Sequence, residues 1–119
     1  MSFVITKQNN STYRKMTRRQ QVSDVIAYGQ IITTLAKAKE LKRHVDKLIT
    51  LAKKNDLASK RKIMSIVLDN KKLTREQILE KLTNDLAKKY ATRKGGYTRV
   101  LRLENREGDN TKVGIIQLV

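Results

Sequence analysis

The sequence predicts an α+β protein: a single compact domain in which a small mixed three-stranded sheet is covered by about four helices. Three observations support this prediction. Apolar residues recur at helical spacing over long segments, of which Leu35–Lys54 is the clearest. Three short runs rich in β-branched residues read as strands, namely Ile31–Thr34, Tyr97–Leu103 and Val113–Val119. The length of 119 residues suits one domain rather than two.

The segment Ile31–Lys54 organises the predicted fold. After the strand, the apolar residues follow one face of a helix: Leu35, Ala38, Leu41, Val45, Leu48, Ile49 and Ala52. At about 100° per residue, the opposite face carries Lys39, Arg43, Lys47 and Lys54. One face can therefore enter a core while the other presents cations. An ordinary solvated charged face is the alternative interpretation of this pattern.

The chain is predicted to divide into an extended N-terminal arm, residues 1–12, and a single domain, residues 13–119. Ser11 or Thr12 is suited to cap a first helix, and Gly29 is suited to end it. No acidic residue precedes Asp24, so this end of the chain is a cationic segment.

Residues typical of helix ends and turns divide the rest of the chain into elements. Asn55-Asp56 is expected to end the long helix and to cap the next one. Thr74 followed by Gln77 forms a capping-box pattern, which opens a helix with balanced charge. Gly95-Gly96 marks a turn, and Glu104–Lys112 joins the last two strands into a hairpin.

The charge of the chain indicates its class of partner. Twenty-seven Lys and Arg oppose eleven Asp and Glu, which gives a net charge of +16. Such a balance favours nucleic acid or an anionic membrane surface. The membrane is the weaker alternative, because the helices need their apolar faces to bury one another and none is rich in aromatic anchors. The chain has no cysteine and no secretion signal, so we expect a cytoplasmic protein.

Catalytic chemistry finds little support in the sequence. His44 is the only histidine and has no nucleophile near it in sequence. Gly95-Gly96 lacks the other residues of a phosphate-binding loop, and no cluster of metal ligands occurs. We therefore predict no enzyme activity, no cofactor and no metal. A free-standing nucleic-acid regulator is a further alternative, although the basic helix lacks the Asn and Gln side chains that read base edges.

Three basic segments remain, Lys7–Arg19, Lys37–Arg61 and Lys88–Arg102. Their side chains suit phosphate contacts, which position a nucleic acid without reading its sequence. Tyr13 and Tyr97 each lie close to an arginine in the sequence. Either ring is suited to stack on an unpaired base, and packing against the sheet is an equal alternative for Tyr97.

Two strings make the interpretation specific: TTLAKAKELKRHVDKLITLAK, from Thr33 to Lys53, and RKGGYTRVLRL with a later GDN, from Arg93 to Asn110. Together with the final GIIQLV they resemble the bacterial family of ribosomal protein seventeen of the large subunit. The resemblance covers nearly the whole chain. Tyr13-Arg14 stands where that family usually has His-Arg, and the arm is less basic than is usual there.

The resemblance implies a structural role in the large ribosomal subunit, with binding of its rRNA near the peptide exit tunnel. It also implies neighbouring ribosomal proteins, including ribosomal protein thirty-two, and neither a membrane nor a homo-oligomer is expected. The residues predicted to contact rRNA are Lys7, Arg14, Lys15, Arg18, Arg19, Thr34, Lys37, Lys39, Arg43, Lys60, Arg61, Arg93, Lys94, Tyr97 and Arg99.

Overall fold

The structure, a computed structural model, describes residues 11–119, and within this range the chain forms four helices and three strands. The last helix, α4, begins as an α-helix, widens to a π-helix and closes with a short α-helical turn. In chain order the elements are α1 (Ser11–Tyr28), β1 (Gln30–Thr34), α2 (Leu35–Lys54), α3 (Leu57–Ile66), α4 (Arg75–Glu80, Lys81–Leu86 and Ala87–Lys89), β2 (Thr98–Arg102) and β3 (Val113–Leu118).

The sheet has the order β1-β3-β2, and both strand pairs are antiparallel. The α+β class and the hairpin of β2 and β3 are confirmed. The predicted mixed sheet is wrong, because no parallel pair occurs among the described strands. Three helices separate β1 from β2, and a connection of that length allows β1 to join the hairpin in either direction. Local sequence signals therefore do not set the direction of β1.

The start of α1 shortens the predicted arm. Ser11 and Thr12, which we assigned to the arm, are the first two residues of the helix. Residues 1–10, including the predicted contact residue Lys7, lie outside the described residues. Gly29 ends α1 with a φ of +85°, and its amide donates to the Val25 carbonyl at 2.8 Å. Glycine adopts this left-handed conformation at little cost, as predicted.

Helix α2 lies at the centre of the core and has the predicted limits. Its buried side chains are Ala38, Leu41, Val45, Leu48, Ile49 and Ala52, which are the apolar stripe read from the sequence except for Leu35. The other helices contribute Ile26, Ile63, Ile78 and Leu82, and the sheet contributes Ile116. The core is thus aliphatic, and it holds α2 with its charged face turned outward.

Side-chain caps fix the ends of the helices. Asn55 ends α2 with a φ of 53°, and the Asp56 carboxylate accepts the Ser59 amide at 2.7 Å to begin α3. The capping box is also present: the Gln77 amide donates to the Thr74 hydroxyl at 3.4 Å, and the Thr74 amide donates to the Gln77 side chain at 2.9 Å. These bonds satisfy amides that have no partner inside their helices.

The π-helical turn of α4 was not predicted. Thr83 lies within it, and its hydroxyl donates to the Leu79 carbonyl at 3.0 Å. A hydroxyl that occupies a helical carbonyl competes with the regular amide ladder, which is a recognised cause of local distortion. The wider turn still places Leu82 and Leu86 in the core.

One face of the sheet packs against the helices, and the other face is exposed. On the inner face, Ile31, Ile116 and Val100 lie side by side across the three strands and pack towards the helices. On the outer face, the neighbouring row is Ile32, Ile115 and Leu101. Ile32 is 65% exposed and Leu101 is 45% exposed, so the helices cover one side of the sheet only.

Candidate nucleic-acid interface

The first half of α1 lies beside the start of α2, and the two helices enclose an open cavity of about 370 Å³. Four predicted contact residues share its wall, three from α1 and one from α2. These residues are Arg14, Lys15, Arg18 and Lys37. Tyr13 and Leu41 form the apolar part of the wall. Glu40 is the only acidic residue among the described residues that line the cavity. The fold thus joins two of the basic segments into one site.

The beginning of α2 adds positive potential to this region. Its first turn contains no acidic residue, and the Thr34 hydroxyl accepts the Lys37 amide at 3.4 Å as the N-cap. The N-terminus of a long helix carries a partial positive charge that favours anions nearby. Thr34, a predicted contact residue, therefore has a structural role, because it fixes the residue at which α2 begins.

The basic surface continues along α2 past His44. Burial lowers the pKa of His44, and the nearby Arg18 lowers it further, while Glu40 acts in the opposite direction. Arg43 and Lys47 also act to lower this pKa, so a second group of cations surrounds the imidazole. We call the set Arg14, Lys15, Arg18, Lys37, Arg43 and Lys47 the α1–α2 basic surface.

Most cations of the α1–α2 basic surface remain available to a ligand. Arg14, Lys15, Lys37 and Arg43 are exposed. Among residues 11–119 their side chains form no hydrogen bond or ion pair. Arg18 differs, because its Nη1 donates to Glu40 Oε1 at 3.1 Å. The Arg18 and Glu40 side chains are 34% and 50% exposed, and both residues line the cavity.

Other cations are committed to the fold. Arg19, a predicted contact residue, donates through Nε to the Ile66 carbonyl at 2.9 Å and so joins α1 to the end of α3. Lys42 donates to the Thr98 carbonyl at 2.8 Å and joins α2 to β2. Lys81 donates to the Ala27 carbonyl at 3.1 Å. A charge count from the sequence cannot separate these residues from the free ones.

Tyr97 belongs to the core rather than to the surface. Its side chain is 2% exposed, and its ring lies 5.2 Å from that of Tyr90. Its hydroxyl donates to the Arg93 carbonyl at 3.1 Å and accepts from Lys53 Nζ at 3.0 Å. Because the Tyr97 ring is enclosed, a base cannot stack on it. Of the two alternatives, the structure favours packing of the ring in the core. Tyr97 therefore leaves the candidate set.

Arg99 projects from the outer face of the sheet. It is aligned with Gln117 on β3 and Gln30 on β1. With the Gln117 amide oriented to satisfy both neighbours, its oxygen accepts from Arg99 Nη2 at 2.8 Å and its nitrogen donates to Gln30 at 3.0 Å. Arg99 is thus exposed but partly immobilised, and it lies on a different face from the cavity.

The remaining predicted residues are spread more widely. Lys39 lines a shallow cleft with Lys112, while Lys60 and Arg61 lie on α3. Arg93 and Lys94 follow α4, where the Arg93 carbonyl accepts from Lys53 at 2.6 Å. Lys37 and Lys53 are separated by about 24 Å along α2 at 1.5 Å per residue, so Arg93 and Lys94 are remote from the cavity.

Three cations near the predicted set were missed. Lys47 and Lys62 line one shallow depression, and Lys112 shares a cleft with Lys39. Lys47 follows Arg43 by four residues, so helical spacing alone was a sufficient signal. Lys112 lies next to α2 only because β1 and β3 pair, and no local pattern reveals that contact.

Residues 11–119 contain neither a cluster of metal ligands nor a membrane span. No group of three or more His, Cys, Asp or Glu side chains lies close enough together to hold a metal ion there. None of the helices in that range combines the length and the apolar character needed to span a membrane.

Comparison with known proteins gives the family. The family described as Ribosomal protein L17 matches residues 17–119. The chain is 54% identical to the large ribosomal subunit protein bL17 of Malacoplasma penetrans, over the full length of both chains. It is 54% identical to the protein of the same name from Ureaplasma parvum serovar 3, again over both full lengths, and 48% identical to that of Mycoplasmopsis pulmonis over 92% of each chain. Because these are ribosomal proteins, a structural family without catalysis, the prediction that the chain is not an enzyme is confirmed. The chain belongs to the ribosomal protein L17 family.

Proposed function

We propose that this chain is a structural component of the large ribosomal subunit in the cytoplasm, and that it binds the subunit's rRNA near the peptide exit tunnel. The observation that carries the proposal is the α1–α2 basic surface, where cations from two helices converge and most form no hydrogen bond or ion pair within residues 11–119. Its relatives are named as large-subunit proteins, which supports the same assembly for this chain.

Charge and rigidity together suit this surface to a phosphate backbone. Arg14, Lys15 and Lys37 are exposed around one cavity, next to the positive end of α2. Lys and Arg neutralise phosphates, and Arg can also bind two oxygens of one phosphate. Because both helices are anchored in the aliphatic core, the backbone that carries these cations is already ordered before RNA arrives, so only the side chains lose freedom on binding.

A sequence-selective regulator fits the surface less well. The side chains available on the outward face of α2 are Lys39, Arg43 and Lys47, without the Asn or Gln residues that recognise adenine edges. Contacts of this kind fix the position of an RNA and carry little sequence information. The expected role is therefore to stabilise one local rRNA fold.

The outer face of the sheet supports a second part of the proposal, a protein neighbour. Ile32, Leu101 and Leu103 expose 65%, 45% and 38% of their surface there. An apolar patch attracts protein rather than phosphate. We propose that a neighbouring ribosomal protein covers it, with ribosomal protein thirty-two as the candidate.

Sedimentation of ribosomal particles tests the proposal. A tagged chain should travel with the large subunit and stay bound at moderate salt. A photo-crosslinking group at Arg43 should recover rRNA from the region of the tunnel exit, while the same group at Ile32 should recover protein. A chain that remains in the soluble fraction, away from the subunit, would overturn the proposal.

A further inference from the structure

The cavity between α1 and α2 has features that phosphate binding alone does not explain. Cations line it, yet Glu40 also lies in its wall with a side chain that is 50% exposed. A carboxylate repels a phosphate that enters the same space. The Tyr13 side chain, which is 50% exposed, adds apolar surface to the wall, and a phosphate gains nothing from that surface. The wall of the cavity therefore combines cations, which suit a phosphate, with groups that suit another part of a nucleotide.

We infer that this cavity holds a single unpaired base of the rRNA, stacked on Tyr13, while Arg14 and Lys37 bind the flanking phosphates. This inference rests on the proposed function and adds the ligand to it. Single-stranded RNA is commonly bound by an aromatic ring that stacks on a base beside cations that follow the backbone. The cavity volume of about 370 Å³ falls within the range of ligand pockets.

Tyr13 is placed to act as the stacking platform. It is 50% exposed at the cavity wall, in the first turns of α1. Glu40 lies in the same wall, and one of its oxygens already accepts from Arg18 at 3.1 Å. Its second oxygen accepts no hydrogen bond from residues 11–119, so it can accept from the N–H groups on the edge of a base, which a phosphate lacks. The carboxylate thus adds a hydrogen-bond acceptor for a base to a wall whose other charged groups are cations.

A matched control exists on the same helix. Tyr28 is 48% exposed at the other end of α1, so it equals Tyr13 in residue type, helix and exposure. It lines a cleft with Asp24, Asp69 and Lys71, and Lys72 Nζ lies 5.5 Å from the centre of its ring, so the acidic and basic side chains around it balance. Removing the Tyr28 ring should therefore leave RNA binding unchanged.

The experiment compares two probes that differ only in their bases. One is a single-stranded RNA oligonucleotide of mixed sequence, and the other is an abasic ribose-phosphate oligomer of the same length. The full chain should bind the RNA more tightly than the abasic oligomer, by about fivefold or more. Tyr13→Ala should reduce this preference to about one, Tyr13→Phe should retain it, and Tyr28→Ala should leave it unchanged.

Each remaining result contradicts the inference in a distinct way. If the chain binds both probes equally well, the cavity holds no base, and the proposed rRNA binding stands. If the chain binds neither probe, the inference fails, and sedimentation with the large subunit decides separately whether the proposed function stands. If Tyr13→Ala keeps the preference for RNA, or lowers the melting temperature of the free chain as a core substitution does, then Tyr13 is not a stacking platform.

Discussion

The ammonium group of Lys53 lies 3.0 Å from the hydroxyl oxygen of Tyr97 and 2.6 Å from the Arg93 carbonyl oxygen. These bonds join the last turn of α2 to the Gly-Gly-Tyr turn that precedes β2. The turn belongs to a string by which the chain resembles its family, and its tyrosine is buried. The family resemblance at this position therefore reflects packing of the sheet on α2 rather than contact with a ligand.

Two substitutions of Tyr97 should separate these roles. Tyr97→Phe removes the hydroxyl from Lys53 and Arg93 and should lower the free energy of unfolding by about 1 kcal/mol. Tyr97→Ala also empties the space beside Tyr90 and should lower it by about 3–5 kcal/mol. Urea denaturation measures both values. RNA affinity of the folded Tyr97→Phe variant should equal that of the wild type, and a loss of affinity with unchanged stability would return Tyr97 to the RNA surface.

Adjacent cations on α2 should respond in opposite ways. Lys42→Met breaks the bond to the Thr98 carbonyl, and we expect a loss of about 1–2 kcal/mol of stability. Arg43→Met removes an exposed cation, which should change stability by less than about 0.5 kcal/mol. It should instead lower the slope of log affinity for rRNA against log salt by about 0.7–0.9. Denaturation and salt titration of both variants test this division, and equal effects would contradict it.

His44 should make stability depend on pH. Its pKa lies below the ordinary value of 6.5 because burial and Arg18 disfavour the imidazolium. As pH falls below 6.5, the unfolded chain binds a proton that the folded chain does not, so the free energy of unfolding decreases. The decrease ends once the folded His44 is protonated too. Melting temperatures at constant salt should show this loss, and His44→Gln should reduce it; an identical loss in the variant would exclude His44 as the cause.

Leu48 tests the aliphatic core that holds the basic surface. It is 1% exposed in the middle of α2. Leu48→Ala should leave a cavity and lower the free energy of unfolding by about 2–5 kcal/mol. Leu57→Ala is a suitable control, since Leu57 is 63% exposed at the start of α3. Its effect should stay within about 0.5 kcal/mol. Similar losses in the two variants would show that α2 is not the centre of the core.

The sequence predicted those parts of the fold that depend on local signals. The limits of α2 followed from its apolar spacing, the next helix starts from the capping bond of Asp56, and the capping box at Thr74 formed as expected. The direction of β1 depends on its tertiary pairing with β3, and the sequence did not predict it. The π-helical turn depends on the Thr83 hydroxyl, which competes for a helical carbonyl, and it was not predicted either.

In the candidate site, too, the sequence predicted some features, while others depend on tertiary contacts. Arg14, Lys15 and Lys37 were predicted as contacts, and the fold brings them to one cavity. Arg19 and Lys53 have the same chemistry, but each meets a carbonyl on another element. Whether a cation is free or committed depends on which carbonyl lies within its reach, which is a property of the folded chain.

The salt dependence of rRNA binding is the most direct test of the α1–α2 basic surface. One variant changes Arg14 and Lys37 to Gln, and a control of equal charge changes Lys71 and Lys72, which lie outside the three basic segments, to Gln. The first variant should lose about 0.7–0.9 of the log–log slope for each phosphate contact removed, while the control keeps most of the wild-type slope. Equal slopes for the two variants would contradict the assignment of rRNA binding to this surface.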